Sequence, residues 1–247
     1  MKKERIDILL VERGLADSIS MAQAIIMSGV VLHDERRVDK PSQTLPIESV
    51  IRIKGAEAKN KYVGRGGQKL EAALTSFHIC PDTYVCLDIG SSTGGFTDCL
   101  LQHGAKHVTT VDVGTNQLVW SLRNDPRVQV RENTNARNLS VNDFDLQFDL
   151  TVMDVSFISA TKILPAIFPL LKVNGNLIVL IKPQFEVEKG EVGKGGIVRD
   201  PEQHQRVVDS VNAFAKSIGF FVRGVIDSPI LGAEGNKEFL ALYARRK

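Results

Sequence analysis

Four ionisable residues in this chain each close an apolar run. They are Asp88, Asp112, Asp154 and Lys182. Asp88 ends Val85-Cys86-Leu87-Asp88-Ile89 and is followed by the turn Gly90-Ser91-Ser92-Thr93-Gly94-Gly95 and a helix-like segment from Phe96. Strand, tight glycine loop and helix start is the order in which α/β proteins hold a nucleotide-like ligand at the carboxyl end of a parallel strand. Gly90, Gly94 and Gly95 allow a ligand close to the backbone. Asp112 ends the next apolar run, Val108 to Val111, where a carboxylate can accept hydrogen bonds from both ribose hydroxyls. Asp154 follows Val152-Met153, and Lys182 follows Leu177-Ile178-Val179-Leu180-Ile181. Pro183 removes a backbone donor and stops that strand. The ordinary reading of Lys182 is a surface cation with a buried stem. Its place one strand from Asp154 favours a functional one.

Three readings of the glycine loop compete. A phosphate-binding NTPase loop needs Lys and Ser or Thr after its glycines, and none is present. A dinucleotide site needs G-x-G-x-x-G to seat a pyrophosphate, whereas this loop is Gly90-x-x-x-Gly94-Gly95. The run Asp88-Ile-Gly-x-x-x-Gly-Gly-Phe96-Thr resembles motif I of S-adenosylmethionine-dependent methyltransferases. That ligand has no phosphate and carries a cationic amino group, which suits a carboxylate beside the loop. The resemblance implies a cofactor set of Asp88, Gly90, Ser91, Gly94, Gly95, Phe96, Asp112 and Asp154. Asn135, in a polar segment after the third strand, is placed to flank an adenine.

These groups need a sheet to hold them. The pattern predicts strands near 84–88, 108–112, 127–130, 149–153 and 176–181. Helices are predicted near 67–77, 96–103, 116–123, 160–171 and 202–218, with two closing strands at 220–227 and 239–244. Continuous apolar strands are expected where both faces of a sheet are covered. The fold class is α/β, a doubly wound Rossmann-like sheet of about seven strands with an antiparallel ending.

Residues 1–60 follow a different logic. Ile6, Leu9, Leu10 and Leu15 predict an amphipathic helix stopped near Gly14. Ala22, Ile25 and Ile26 predict a second, capped by Ser18 or Ser20 and ended by Gly29. Val30 to Leu32 and Val50 to Ile53 read as short strands. This small α+β unit resembles the RNA-binding domain first described in ribosomal protein S-four, through Arg5-Ile6-Asp7, Arg13-Gly14-Leu15-Ala16, Ala22-x-x-Ile25-Ile26-x-x-Gly29 and Asp39-Lys40-Pro41. Ile19 stands where that family usually has Arg. The resemblance implies RNA contacts from Arg5, Arg13 and Lys40. A basic strip, Lys54, Lys59, Lys61, Arg65 and Lys69, adds Lys61 and Arg65. The expected domains are 1–60 and 61–247.

Composition excludes several classes. The chain has 247 residues and a formal charge of +2, so bulk charge argues only weakly for an anionic partner. Cys80, Cys86 and Cys99 are irregularly spaced, so neither a zinc site nor a disulfide framework is indicated, and no metal is expected. The charged N-terminus and the lack of a long apolar run predict a cytoplasmic protein with no membrane span.

Lys69, Asp154, Lys182 and Glu238 match, in order and context, the K-D-K-E tetrad of FtsJ-like RNA 2′-O-methyltransferases. Across nearly the whole chain, Arg65-Gly-Gly-x-Lys69-Leu, Asp154-Val-Ser-Phe-Ile-Ser, Lys182-Pro-Gln-Phe-Glu and Gly235-Asn-x-Glu238-Phe-Leu resemble the TlyA, or hemolysin-like, family. A ribose hydroxyl must lose its proton as it attacks a sulfonium methyl, and an uncharged lysine can accept it. The resemblance therefore implies Lys182 as base, oriented by Asp154 and Glu238, with Lys69 acting on Lys182 or on the developing oxyanion. The implied activity is 2′-O-methylation of ribose, with cytidine as the nucleoside and ribosomal RNA or a ribosomal subunit as the partner. Oligomeric state is not indicated. The alternatives are a membrane-active hemolysin and an RNA-binding protein without catalysis.

Overall fold

The computed structural model describes residues 3–13, 15–16, 18–34, 36–53, 61–188, 190–232 and 235–246. The expected helix stop at Gly14 and the cations Lys54 and Lys59 lie outside them. The chain divides into two compact units, Met1–Asn60 and Lys61–Lys247.

In the first unit, β1 (Lys3–Arg5) leads directly into α1 (Ile6–Glu12), followed by α2 (Ile19–Met27). Ser18 caps α2 by accepting from the Met21 N–H. Strands β2 (Val31–His33), β3 (Arg36–Arg37), β4 (Thr44–Pro46) and β5 (Ile51–Ile53) follow. They form a three-stranded sheet in the order β3-β2-β5 and a separate β1-β4 pair. Ile6, Leu9, Leu10, Ala22, Ile26 and Val31 make the core. Leu15, expected on the apolar face of α1, is exposed beyond the helix end. The sequence reading missed β1, β3 and β4, which are only two or three residues long, too short for alternation to show.

The second unit opens with α3 (Gly66–Ser76), β6 (Val85–Ile89), α4 (Gly95–Gln102) and β7 (His107–Val111). Then come α5 (Trp120–Arg123), β8 (Val128–Arg131), β9 (Phe148–Met153), α6 (Leu164–Ile167), β10 (Leu171–Ile181) and α7 (Pro183–Glu186). It closes with α8 (Pro201–Ser217), β11 (Phe220–Asp227) and β12 (Phe239–Arg245). The seven strands are ordered β11-β12-β10-β9-β6-β7-β8, with β12 antiparallel to both neighbours and the other pairings parallel. Residues alternate between two cores. Leu87, Val179 and Ala241 face α6 and α8, while Cys86, Ile178 and Leu240 face α3 and α4. Period-two alternation with both faces apolar is what continuous Val, Ile and Leu strands require.

Two predicted helices were too long. The segment 116–123 holds only the single turn α5, because Asn116 takes φ 57° and Asp112 accepts from the Gly114 N–H to turn the chain first. The segment 160–171 breaks into a 3₁₀ turn at Ala160–Lys162, α6 and a second 3₁₀ turn at Phe168–Leu170, interrupted by Pro165 and Pro169. Leu171 already belongs to β10, whose register shifts between Leu171 and Asn176, with Asn174 at φ 66°.

Candidate active site

The strand order reverses at β6: the chain runs out through β7 and β8 and returns to β9 on the other side. Open α/β sheets bind ligands in the crevice at such a point, beyond the carboxyl ends of the strands. Gly90, Asp112, Asp154 and Lys182 are the residues immediately after β6, β7, β9 and β10. Because β12 is antiparallel and Phe239 pairs with Ile181, Glu238 comes to the same edge.

Gly90 has φ +80°, and a Cβ there would sit 2.3 Å from the Asp154 carbonyl oxygen. Its N–H donates to Val111 O, while the Asp154 N–H donates to Ile89 O, so the loop is stitched to both neighbouring strands. Gly94, at φ +101°, leaves no room for a side chain against Leu122 and Leu118. Asp112 accepts from the N–H of Ser92 at 2.8 Å and from that of Gly114 at 2.7 Å. One lone pair on each of its oxygens is left for a ligand.

These residues open on a cavity of about 410 Å³ lined by Gly90, Asp112, Asn135, Asp154, Phe157 and Ile158, among others. Small-molecule pockets span roughly 300–1,000 Å³. Ser91, Gly95, Phe96 and Arg65 line a smaller cleft of about 130 Å³ that shares Gly90 and Asp154 with it. Asn135 lines the larger cavity while its side chain accepts from the Arg137 N–H, capping a 3₁₀ turn.

Asp88 behaves differently from the expectation of a ligand contact. It is fully buried, lines neither cavity and accepts from Thr97 Oγ1 at 2.6 Å. Its Oδ1 has no hydrogen-bond partner. Burial pushes its carboxyl up to about 7, opposed by Thr97 and reinforced by the charges of Asp154 and Asp112. It braces the start of α4 beneath the loop. Cys86 and Cys99 are buried core residues, and burial raises both thiols, Cys99 to about 12.

A second cavity, of about 370 Å³, is lined by Lys69, Ser156, Phe157, Lys182, Gln184, Asn236 and Glu238. Lys182 Nζ lies 2.5 Å from Asp154 Oδ1 and donates to Ser156 Oγ at 2.9 Å. Lys69 Nζ donates to Glu238 Oε2 at 2.5 Å. The four residues are brought to one edge, but as two ion pairs. Glu238 pairs with Lys69 and not with Lys182, so the expected orientation of Lys182 by both acids is corrected to Asp154 and Ser156. Lys69 also leaves the expected basic strip. It is buried, because α3 turns it inward beside Leu70.

Other predicted cations are committed elsewhere. Arg5 makes a bidentate pair with the buried Asp7, holding that carboxyl below the usual range, with the Gln23 amide adding a further bond. Arg13 donates to the Ser49 and Ile47 carbonyls, which ties α1 to the turn after β4. Lys61 pairs with Glu71. Lys40 and Arg65 are exposed, with no ion pair to another described residue.

Phe157 was missed as a site residue. It is 92% exposed, has φ +63° and lines both cavities. A left-handed Phe has no signature in the sequence, although its place three residues after Asp154 was visible. Gly232 and Asn236 were also missed. Gly232 passes so close to Glu238 that a Cβ would meet Oε1 at 2.0 Å. Asn236 Oδ1 accepts from the Val198 N–H, and its Nδ2 donates to Gly196 O. Asn236 thus holds the segment Gly196–Val198 in place. His204 Nε2 also bonds Val198 O.

Residues 62–245 match the FtsJ-like methyltransferase family, and residues 4–51 match the S4 domain. The Bacillus subtilis protein YqxC, provisionally named an rRNA methyltransferase, is 47% identical over 97% of this chain and 85% of its own. The 16S/23S rRNA (cytidine-2′-O)-methyltransferase TlyA of Mycobacterium tuberculosis is 43% identical over 96% of this chain and 88% of its own. A solved structure from Streptococcus thermophilus, provisionally named a hemolysin, superposes with a TM-score of 0.76 at 43% identity, covering 100% of this chain and 90% of that one. Among the described residues, no helix is long and apolar enough to cross a membrane. The chain belongs to the FtsJ-like methyltransferases, in the TlyA group that carries an S4 domain ahead of the methyltransferase domain.

Proposed function

We propose that this protein methylates the 2′-hydroxyl of a cytidine ribose in ribosomal RNA, using S-adenosylmethionine. The observation that carries the reading is the pair Lys182–Asp154, 2.5 Å apart, at the boundary of two cavities that share Ser156 and Phe157. The cofactor, when bound, supplies a methyl group activated by a positively charged sulfur. Asp112 fits its ribose hydroxyls, Gly90 leaves room for close backbone approach, and Asn135 and Ile158 line the wall for a base. Ser91, Gly94, Gly95 and Phe96 shape the loop, and Asp88 supports it from below.

Lys182, once it has given its own proton to water, is the group that takes the acceptor hydroxyl proton as the oxygen becomes a nucleophile. Asp154 and Ser156 aim its Nζ. Lys69, fixed by Glu238, sets a positive charge on the acceptor side, where it stabilises a developing oxyanion. Phe157 offers an open aromatic face for a nucleobase. In this reading residues 1–60 are the RNA-binding domain and 61–247 the catalytic domain, acting in the cytoplasm with the ribosomal substrate. Lys40 and Arg65 are the phosphate contacts, while Arg5, Arg13 and Lys61 contribute by holding the fold.

The test is labelled methyl transfer to isolated ribosomal subunits, free ribosomal RNA and intact ribosomes, with mapping of the product. Lys182→Ala should abolish transfer. It should leave S-adenosylmethionine binding, measured by calorimetry, near normal, because Lys182 does not line the cofactor cavity. Retained transfer in that variant refutes the assignment.

A further inference from the structure

The loops after β9 and β10 each carry half of the Lys182–Asp154 pair, and the parallel ladder between the two strands ends at Met153 and Val179. Glu186 ties the loops together beyond that point. It ends α7, four residues beyond Lys182, and is half-buried. Its Oε2 accepts from Ser159 Oγ at 2.6 Å, and its Oε1 accepts from the Ala160 N–H at 2.7 Å. Ser159 and Ala160 open the 3₁₀ turn that ends the loop after β9. Hydrogen bonds this short to a carboxylate are the strong, charge-assisted kind.

The two loops meet at three points. Lys182 reaches Asp154 and Ser156, the Phe185 ring meets the Phe157 ring at 5.2 Å, and Glu186 holds Ser159 and Ala160. Glu186 lines neither the cofactor cavity nor the acceptor cavity but a separate cleft of about 480 Å³ with Glu191 and Arg206, so its effect on transfer runs through the residues it holds. The span it closes is strained. Phe157 holds φ +63° while 92% exposed, so burial in the core does not impose that conformation. A bulky residue stays in the left-handed region only when its surroundings over-determine it. The restraints are the ring contact and the clasp two residues on. Burial raises the Glu186 carboxyl above its ordinary range, and the bonds from Ser159 and Ala160 oppose that rise.

We propose that Glu186 is a positioning residue for methyl transfer, a clasp that keeps Asp154, Ser156 and Phe157 in register with Lys182. The proposal rests on the reading of Lys182–Asp154 as the reacting pair. The test uses the full chain with Glu186→Ala, Glu186→Gln and Ser159→Ala. A shift of about 1 Å in a reacting group can cost on the order of 100-fold, so Glu186→Ala should lower kcat by roughly 10- to 100-fold. KM for RNA should stay within about threefold, since the expected loss is in reacting geometry and not in binding. Glu186→Gln keeps an acceptor for Ala160 and a donor that Ser159 Oγ can receive, so it should recover most of that loss. Hydrogen exchange, run without RNA, should show faster exchange confined to residues 156–162 in Glu186→Ala. A smaller change is expected in Ser159→Ala, which loses one bond only.

The clasp is overturned if Glu186→Ala keeps wild-type kcat, if Glu186→Gln is as impaired as Glu186→Ala, or if exchange at 156–162 is unchanged. A wild-type chain that methylates no ribosomal RNA would overturn the proposed function instead, and the exchange result would then decide the clasp alone.

Discussion

Replacing Lys69 by Met separates the two ion pairs by their burial. Lys69 and Glu238 have side chains only 10% and 2% exposed, whereas Asp154 in the other pair is 22% exposed. Removing one partner of a buried pair leaves a charge that water cannot reach and costs about 3–5 kcal/mol. In a domain of 150–250 residues each kcal/mol shifts Tm by about 2–4 °C, so Lys69→Met should lower Tm by roughly 6–20 °C. The double variant Lys69→Met, Glu238→Gln removes both charges and should recover most of that loss, since replacing a buried pair by neutral groups is often close to neutral. Lys182→Met leaves a carboxylate that water can solvate, so its cost should fall between the surface and buried cases, roughly 1–2 kcal/mol. Thermal melts of the three variants at one pH and salt concentration supply the comparison. A Lys69→Met melt within about 2 °C of wild type would refute the argument, as would a double variant no more stable than the single one. Either result would mean that solvent or a movement of α3 relieves Glu238.

Two further outcomes follow from the glycine loop and the carboxylate beneath it. Gly90→Ala places an L-residue at φ +80°, which costs roughly 1–2 kcal/mol, and puts a Cβ 2.3 Å from Asp154 O. Either the loop or Asp154 must move by about 1 Å, so kcat should fall on the order of 100-fold, and calorimetry should show weaker cofactor binding; a wild-type isotherm would count against the close approach. Asp88 is raised to about 7 in the folded chain, against about 3.9 for an unfolded aspartate. The native state therefore holds a proton that the unfolded chain releases between those values, and stability falls as pH rises through that window. Asp88→Asn has no such titration. Its Tm relative to wild type should increase from pH 4 to pH 8, and a constant difference would show that Asp88 is not desolvated.

The parts of the site legible in the sequence are those fixed by one strand end. Asp112, Asp154 and Lys182 each follow an apolar run, and a parallel sheet must deliver such residues to one edge. The Lys69–Glu238 contact spans 169 positions and depends on α3 turning Lys69 inward and β12 running antiparallel. No local pattern shows which of two acids a lysine meets. The same limit explains the RNA-facing cations. Arg5 reads as free in the sequence, yet Asp7 lies two residues on in the first turn of α1 and takes both ends of its guanidinium. The short β1, β3 and β4 were hidden because two or three residues cannot display a period, and α5 was overextended because a left-handed Asn116 turns the chain and delays the helix to Trp120.

The distribution of charge across the site follows from these placements. Three carboxylates, Asp88, Asp112 and Asp154, surround the glycine loop closely enough that the last two raise the first. A cationic ligand would relieve that repulsion and an anionic one would increase it, which supports the proposed sulfonium cofactor over a nucleotide phosphate. On the proposed acceptor side Lys69 and Lys182 are each offset by a carboxylate, Glu238 and Asp154, so they supply directed donors with little net charge. Asp154 belongs to both sides: it lines the cofactor cavity and holds Lys182. Methyl transfer needs the donor and the hydroxyl to meet within reacting distance, and the two cavities meet at Ser156 and Phe157, beside the Lys182–Asp154 pair. On the proposed reading the chemistry depends most on the short loop after β9, which the left-handed Phe157 and the half-buried Glu186 would hold in place.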